Sequence, residues 1–352
     1  MKTALLHYWL TNMRGGEKVL AALGEMFPDA DVFTHAFADR MRDEAEGRGV
    51  GGRWKGHAVR ETFVATLPTG REHPQRYLPL MPWASRSLKL DGYDLLISSE
   101  SGPIKGIRKP AGARHVCYCH TPMRYLWDLH DDYYRDASVP EKLAMRLFTG
   151  YLRKEDLKSA ESVDTFVANS GFVAERIKRI YGRESVVVHP PVDVDFFSAA
   201  PAPSDRAYYL FAGAPVKYKR LDLAKAACAK MGRELKVAGG GNCTDEELRA
   251  LYAGAKALLF PGVEDFGIVP VEAQAAGTPV IAYGAGGALE TVKAGETGLF
   301  FRDQTVDSLC AAIEEFEGRS WSDVSCRANA VRFSPRVFVD KMSGICYSTG
   351  EL

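Results

Sequence analysis

Two carboxylates, Glu264 and Glu272, stand in the segment Pro261-Gly262-Val263-Glu264-Asp265-Phe266-Gly267-Ile268-Val269-Pro270-Val271-Glu272. An apolar run, Ala257–Phe260, precedes it and reads as a strand. A helical pattern over Val269–Ala276 follows. A strand-to-helix junction of this kind offers free backbone N–H groups and the positive end of a helix dipole, which suits phosphate. Glu264 falls in the loop and Glu272 about one turn into the helix. Carboxylates so placed can grip hydroxyls at two points along one ligand, for example a hexose and a ribose. An ordinary strand–loop–helix with a capping glutamate has the same spacing, so spacing alone leaves both readings open.

Other chemistry-bearing residues lie elsewhere. Gly15-Gly16-Glu17-Lys18-Val19 follows the first apolar run. Glycine there lets backbone approach a phosphate closely, although two glycines equally make a plain turn. His120 ends the apolar run His115–His120 and suits either a cleft or a structural role. Lys217-Tyr218-Lys219-Arg220-Leu221-Asp222 follows a strand ending in Gly213. That basic cluster can hold an anion, or be a solvated helix start. His189, before Pro190-Pro191, belongs to a hinge. Residues 74–89 mix basic, aromatic and aliphatic side chains without acids. The mix suits a membrane interface or a lipid-linked acceptor, and equally a proline-rich connection packed on the core. A nucleic-acid surface is disfavoured by the zero net charge. No D-x-D or His/Asp group has the setting a metal needs, so no metal is expected.

The elements that must position these residues alternate in type. Strands are expected at Thr3–Trp9, Leu95–Ile97, His115–Tyr118, Thr165–Ala168 and Val186–Val188, with helices at Glu17–Met26, Pro140 to about Ser162, and Phe172–Tyr181. Pro190-Pro191 and Ser198–Ser204 read as a linker. The alternation then restarts with strands Tyr208–Ala212, Leu235–Ala238, Ala257–Phe260 and Val280–Ala282. Helices fall near Leu221–Met231, Asp245–Ala253 and Val269–Ala276. Such alternation predicts parallel sheets with right-handed crossovers. The fold class is therefore α/β: two doubly wound, Rossmann-like domains facing a cleft, over 1–195 and 205–333, followed by a last helix, 334–352. The 352 residues suit two domains. The seven cysteines, odd in number and scattered, fit reduced thiols in the cytosol. No apolar run is long enough to span a bilayer, and Met1–Leu10 reads as a strand rather than a signal peptide.

The stretch from Glu264 through Ala273-Gln274-Ala275-Ala276-Gly277-Thr278-Pro279-Val280-Ile281-Ala282 to Gly284-Ala285-Gly286-Gly287-Ala288-Leu289-Glu290 resembles family 4 of the retaining glycosyltransferases, which have the GT-B fold. Glu264 and Glu272 match that family's E-x7-E motif. Bacterial O-antigen and capsule mannosyltransferases look closest. The resemblance implies a retaining, metal-independent enzyme without a cofactor, and a last helix, after Arg332-Phe333-Ser334-Pro335, that returns to the first domain. It would move a hexose, best mannose from GDP-mannose and next a UDP-sugar, to a lipid-linked or oligosaccharide acceptor in surface polysaccharide or lipopolysaccharide biosynthesis. The place implied is the cytoplasm, with 74–89 as a contact to the inner face of the plasma membrane. The implied catalytic residues are His120, Glu264 and Lys219. The implied donor-binding residues are Gly15, Gly16, Lys217, Lys219, Asp265, Phe266, Gly267, Ile268 and Glu272, with Glu264 on the sugar and Glu272 on the ribose. Two departures stand out. The family's arginine position holds Ala214, so that either Lys217 or Arg220 would substitute in neutralising the diphosphate, or leaving-group stabilisation would be weaker. The β–α unit that usually holds the nucleobase is missing after Asn242. A non-catalytic sugar-nucleotide-binding homologue and a UDP-sugar epimerase of the same fold are the rival readings. The E-x7-E segment speaks against the second.

Overall fold

The computed structural model describes residues 1–41, 56–199, 206–239 and 243–348. Most of the expected linker, and Gly240–Asn242, therefore lie outside the described residues. The chain divides into two compact units, Met1–Val188 with Val339–Leu352, and His189–Phe338.

In the first unit seven strands form one parallel sheet: β1 (Thr3–His7), β2 (Asp31–Thr34), β3 (Val59–Glu61), β4 (Leu95–Glu100), β5 (Arg114–Cys119), β6 (Thr165–Ala168) and β7 (Ser185–Val187). Their order is β3-β2-β1-β4-β5-β6-β7. Every residue of β1 and β4 is buried, as expected of strands covered on both faces. The order reverses between β1 and β4. Crossovers leave that point in opposite directions and open a crevice at the carboxyl ends of the strands. His7 stands opposite Ser99 there.

The covering helices follow from local chemistry. Gly15–Met26 buries Val19, Leu20 and Leu23. Gly171–Tyr181 begins where Val173 N donates to Ser170 Oγ and ends at the left-handed Gly182. Val139–Ser159 is capped by Ser138 and Glu141. It differs from the other covering helices in burying only Leu152 and Asp156.

The second unit has a five-stranded parallel sheet: β8 (Tyr208–Ala212), β9 (Leu235–Ala238), β10 (Ala255–Phe260), β11 (Val280–Tyr283) and β12 (Gly298–Phe301). The order β12-β11-β10-β8-β9 is, from the other edge, second-first-third-fourth-fifth, the doubly wound order of flavodoxin-like sheets. Among the described residues β9 is the sheet's edge, with Val237 exposed on it. After β9 the described chain resumes at Cys243 and enters the helix Asp245–Ala253, then β10, without another strand. The switch point lies between β8 and β10. Apolar clusters fill both faces, one around Leu210, Leu258 and Val271, the other around Phe211, Leu259 and Ile313.

The last helix, Pro335–Tyr347, joins the first unit from Val339 onward. There Tyr347 meets Phe27, ring centres 5.9 Å apart, and Arg114 Nη1 donates to Ser348 O at 2.9 Å.

Candidate functional site

The loops beyond β8 and β10 meet at the switch point of the second unit. After β8 the chain turns at Gly213 (φ +132°), makes a short helical turn over Lys217–Lys219, and passes the left-handed Arg220 into Leu221–Met231. This brings Lys219 back over the strand end. A Cβ on Gly213 would lie 2.9 Å from Lys219 Nζ, so glycine serves here both for its φ and for the approach of the amine. Lys219 Nζ reaches Glu264 Oε1 at 2.9 Å, the side chains 15% and 17% exposed. Glu264 is held from behind, its carbonyl accepting the N–H of Gly287 at 2.9 Å.

Next to this pair, Gly267 opens the helix Ile268–Ala275. Pro270 sits in the first turn, where its missing N–H costs no intrahelical bond. The structure therefore joins Lys219, Glu264 and a helix N-terminus, a combination that can hold a phosphate and a hydroxyl side by side.

The remaining residues of this unit expected at a donor site divide by burial. Phe266 is buried in the core between His189 and Phe333, ring centres 5.3 and 5.4 Å away. Any contact from it to a ligand comes through its backbone. Asp265 is buried and Ile268 half-buried. Glu272, expected on a ribose hydroxyl, is the more enclosed of the two carboxylates. It is 5% exposed and accepts a hydrogen bond from Tyr252 Oη at 2.9 Å. Of the two cations considered in place of the arginine missing at Ala214, Arg220 donates to Asp222 at 3.2 Å, whereas Lys217 lies exposed on the turn. His189 Nε2 is 3.0 Å from Glu290 Oε2.

In the first unit Gly15 and Gly16 are not a loop but the first two residues of a helix. Close packing explains Gly16: a Cβ there would lie 3.0 Å from Tyr8 Oη, 3.5 Å from His120 Nε2 and 3.6 Å from His7 Cε1. His120 follows β5, part-buried, with Nε2 2.8 Å from Ser99 Oγ. Burial, with His7 nearby, pulls its pKa down to about 3, so the ring is neutral near pH 7. Sequence reading missed His7 and Ser99, which strand register brings together beside His120, and Glu17, which the helix Gly15–Met26 sets against His7.

Deeper in this unit Lys105 Nζ contacts Glu100 Oε1 at 2.6 Å and Asp156 Oδ1 at 2.5 Å, all three buried. Asp156 also accepts from Trp127 Nε1 at 2.7 Å. His120 N donates to Glu100 O at 2.8 Å, so this network anchors the strand end that carries the histidine.

Residues 74–89 are mostly packed. Met81 and Ala84 form a small core with Val64, leaving Leu80 and Trp83 exposed. The larger apolar surface is on Val139–Ser159. Leu143, Leu147 and Tyr151 are 60%, 65% and 41% exposed. With Lys154 and Lys158, also exposed, they recur at helical spacing along one face. The sequence showed these apolar residues but not which face of the helix pointed inward. Among the described residues no helix is long and apolar enough to cross a membrane, and no three His, Cys, Asp or Glu side chains gather as a metal would require.

Residues 13–196 match the family model described as Glycosyltransferase Family 4, and residues 205–332 match Glycosyl transferases group 1. The D-inositol 3-phosphate glycosyltransferase of Mycobacterium tuberculosis is 29% identical over 196 residues, a match spanning 44% of this chain and 41% of that relative. This chain thus matches about two-fifths of the relative's length. Among solved structures, sucrose-phosphate synthase of Thermosynechococcus elongatus has a TM-score of 0.73 at 18% identity, covering 98% of each chain. HepE of Anabaena, in complex with UDP and glucose, has 0.68 at 16% identity, covering 99% of this chain and 100% of that one. These likenesses show the fold: two parallel-sheet α/β domains of the GT-B class. With the family model covering more than half of its 352 residues, the chain belongs to glycosyltransferase family 4.

Proposed function

We propose that this protein transfers a hexose from a sugar nucleotide to an acceptor hydroxyl, with retention of anomeric configuration and without a metal ion. The observation that carries the reading is the meeting of Lys219 and Glu264 at 2.9 Å beside the start of Ile268–Ala275, at a switch point of a doubly wound sheet. The reaction breaks the bond between the anomeric carbon and a diphosphate oxygen. Negative charge then builds on the diphosphate. Lys219 and the first-turn N–H groups are preorganised donors for that charge, and Glu264 holds hydroxyls of the sugar. The acceptor oxygen bonds to the anomeric carbon, and its proton passes to the departing phosphate. His120 is assigned to the transferred sugar by the family motif.

GDP-mannose is the donor we favour, on the resemblance of the Glu264–Glu290 stretch to O-antigen and capsule mannosyltransferases. HepE, of similar fold, is solved with UDP and with UDP-glucose, which makes a UDP-sugar the second candidate. The acceptor is read as lipid-linked, handled at the cytoplasmic face of a membrane. Leu143, Leu147 and Tyr151, with exposed Lys154 and Lys158 on the same helix face, fit an anionic lipid surface. This moves the expected membrane contact from 74–89 to Val139–Ser159, with Leu80 and Trp83 as the remaining exposed apolar residues of the earlier segment. A binding protein without catalysis is the second reading, favoured by Ala214 in the place of an arginine.

A thermal-shift panel of GDP, UDP, GDP-mannose, UDP-glucose and UDP-N-acetylglucosamine tests the proposal. A ligand at a hundred times its Kd adds about 2.7 kcal/mol of stability. The expected result is a selective shift with one nucleotide class, lost in Glu264→Ala, and release of nucleoside diphosphate that survives EDTA. A shift without turnover in the presence of lipid-linked acceptors selects the second reading. A shift unchanged by Glu264→Ala overturns the site.

A further inference from the structure

His120 rests on a chain of polar side chains that runs into the core of the first unit. Its Nε2 lies 2.8 Å from Ser99 Oγ, and Ser99 Oγ lies 3.2 Å from His7 Nδ1. Strand register makes this chain. His7 and Ser99 face each other across the β1–β4 pair, and β5, which ends next to His120, is β4's other neighbour. His7 and Ser99 are buried. His7 Nε2 is buried with no hydrogen-bond partner. The carboxylate facing it is Glu17, Oε1 at 3.9 Å. That is too long for a hydrogen bond, but in a dry interior it is near enough to decide which nitrogen carries the proton. Glu17 is itself buried and fixed, accepting from Arg14 N at 3.0 Å.

The Glu17 charge favours one direction of hydrogen bonds along this chain. An N–H at His7 Nε2 faces the Glu17 carboxylate favourably, whereas a lone pair there would be repelled by it. With the proton on Nε2, His7 Nδ1 is an acceptor and takes the Ser99 hydroxyl proton. Ser99 Oγ, having donated, accepts from His120 Nε2–H. The neutral His120 ring then has its lone pair on Nδ1, which has no partner among the described residues.

We infer that Glu17, His7 and Ser99 are positioning residues that fix the tautomer of His120, so that its Nδ1 offers a lone pair to a substrate hydroxyl. This use of the chain rests on the transferase reading above; the tautomer itself does not. The same geometry explains Gly16, whose missing side chain leaves room for the Tyr8, His7 and His120 rings.

Nitrogen-15 NMR of histidine-labelled protein at neutral pH tests the inference, with His120 assigned by its absence in His120→Gln. The expected wild-type spectrum shows His120 protonated on Nε2 and not on Nδ1. Ser99→Ala is expected to give mixed tautomers and about a tenfold loss of donor kcat/KM, with nucleoside diphosphate Kd unchanged. Ser99→Thr, which keeps the hydroxyl, restores both. Glu17→Gln removes the charge that sets the direction, and is expected to mix the tautomers of His7 and His120 together. Thermal melts confirm that each variant folds. Protonation of His120 on Nδ1 in the wild type, or an unaltered tautomer in a folded Ser99→Ala, overturns the chain. The expected spectra without turnover of any donor support the chain and overturn the transferase reading alone.

Discussion

Replacing Lys219 by methionine keeps most of the length of the side chain and removes its charge. The charge lies 2.9 Å from Glu264 and at the mouth of the second unit's switch point. Two unit charges about 4 Å apart interact by about 4 kcal/mol at an effective dielectric of about 20. Lys219 is 15% exposed, so solvent screens part of this, and about 2–4 kcal/mol remains as the expected loss. At about 1.4 kcal/mol per factor of ten, that is a fall of roughly 30- to 1,000-fold in donor kcat/KM. Most of it should appear in kcat, because the charge on the leaving diphosphate grows as the bond breaks. Folding should suffer little, since an ion pair that water reaches contributes about 1 kcal/mol or less. The assay is release of nucleoside diphosphate from the donor that the thermal panel selects, with a melt as control. The neighbouring cations give the contrast. Arg220→Met removes a group already paired with Asp222 and should cost less than Lys219→Met. Ala214→Arg would supply the second cation that the family motif carries there, and should tighten nucleoside diphosphate binding by about tenfold. A folded Lys219→Met enzyme with kcat/KM within twofold of the wild type would refute the assignment of this site to the diphosphate.

Two further outcomes follow from the first unit. Leu143→Glu with Leu147→Glu should abolish binding to phosphatidylglycerol vesicles in a sedimentation assay. Each exposed leucine that would enter the interface contributes about 1.5–3 kcal/mol when fully buried, and the wild type should not bind phosphatidylcholine vesicles. Failure of the wild type to bind anionic vesicles, with self-association seen by light scattering, would assign the face to a second copy of the chain. In the buried network, burial raises the Glu100 carboxyl from 4.5 to about 7 against the pull of Lys105. A raised folded-state pKa means the folded state holds the proton more tightly. The stability it contributes is therefore complete below pH 4.5 and is lost as pH rises through about 7. Relative to Glu100→Gln, the wild type should lose stability over that window, by less than about 3 kcal/mol. Urea midpoints at several pH values measure it, and parallel curves for the two proteins would contradict the assignment.

The parts of the fold legible in sequence were those whose physics is local. Tyr208–Ala212 and Leu235–Ala238 are bounded by turn residues, and both strands fall where expected. The Glu264–Glu272 junction is likewise a matter of adjacent residues. β2, β3 and β12 are only three or four residues long, and β2 and β3 carry Asp31, Arg60 and Glu61. Only pairing with their neighbours, β2 with β1, β3 with β2 and β12 with β11, makes them strands. The Lys219–Glu264 contact was half legible. Each residue was chosen for its own motif, while their meeting depends on the β8–β10 pairing. Glu272 was assigned to a ribose hydroxyl on its motif, but spacing carries no information about Tyr252, a residue of another helix that donates to it. The His7–Ser99–His120 chain was illegible for the same reason, since His7 and Ser99 are 92 residues apart in sequence.

Both candidate sites are made the same way. In each unit the polar contact joins neighbouring strands, or the loops just beyond them, on the two sides of the point where strand order reverses: β1 and β4 for His7 and Ser99, β8 and β10 for Lys219 and Glu264. Neither contact is carried by one continuous segment, so each depends on sheet register. The second register has an irregularity. Ala255 pairs with Tyr208 and Ala257 with Tyr209, which leaves Lys256 as an extra residue in β10. A bulge of this kind bends its strand and strengthens the local twist. Here it lies in the strand whose far end delivers Glu264. The sheet that presents Glu264 to Lys219 is therefore shaped at Lys256, eight residues upstream of the carboxylate, at a position no motif marks.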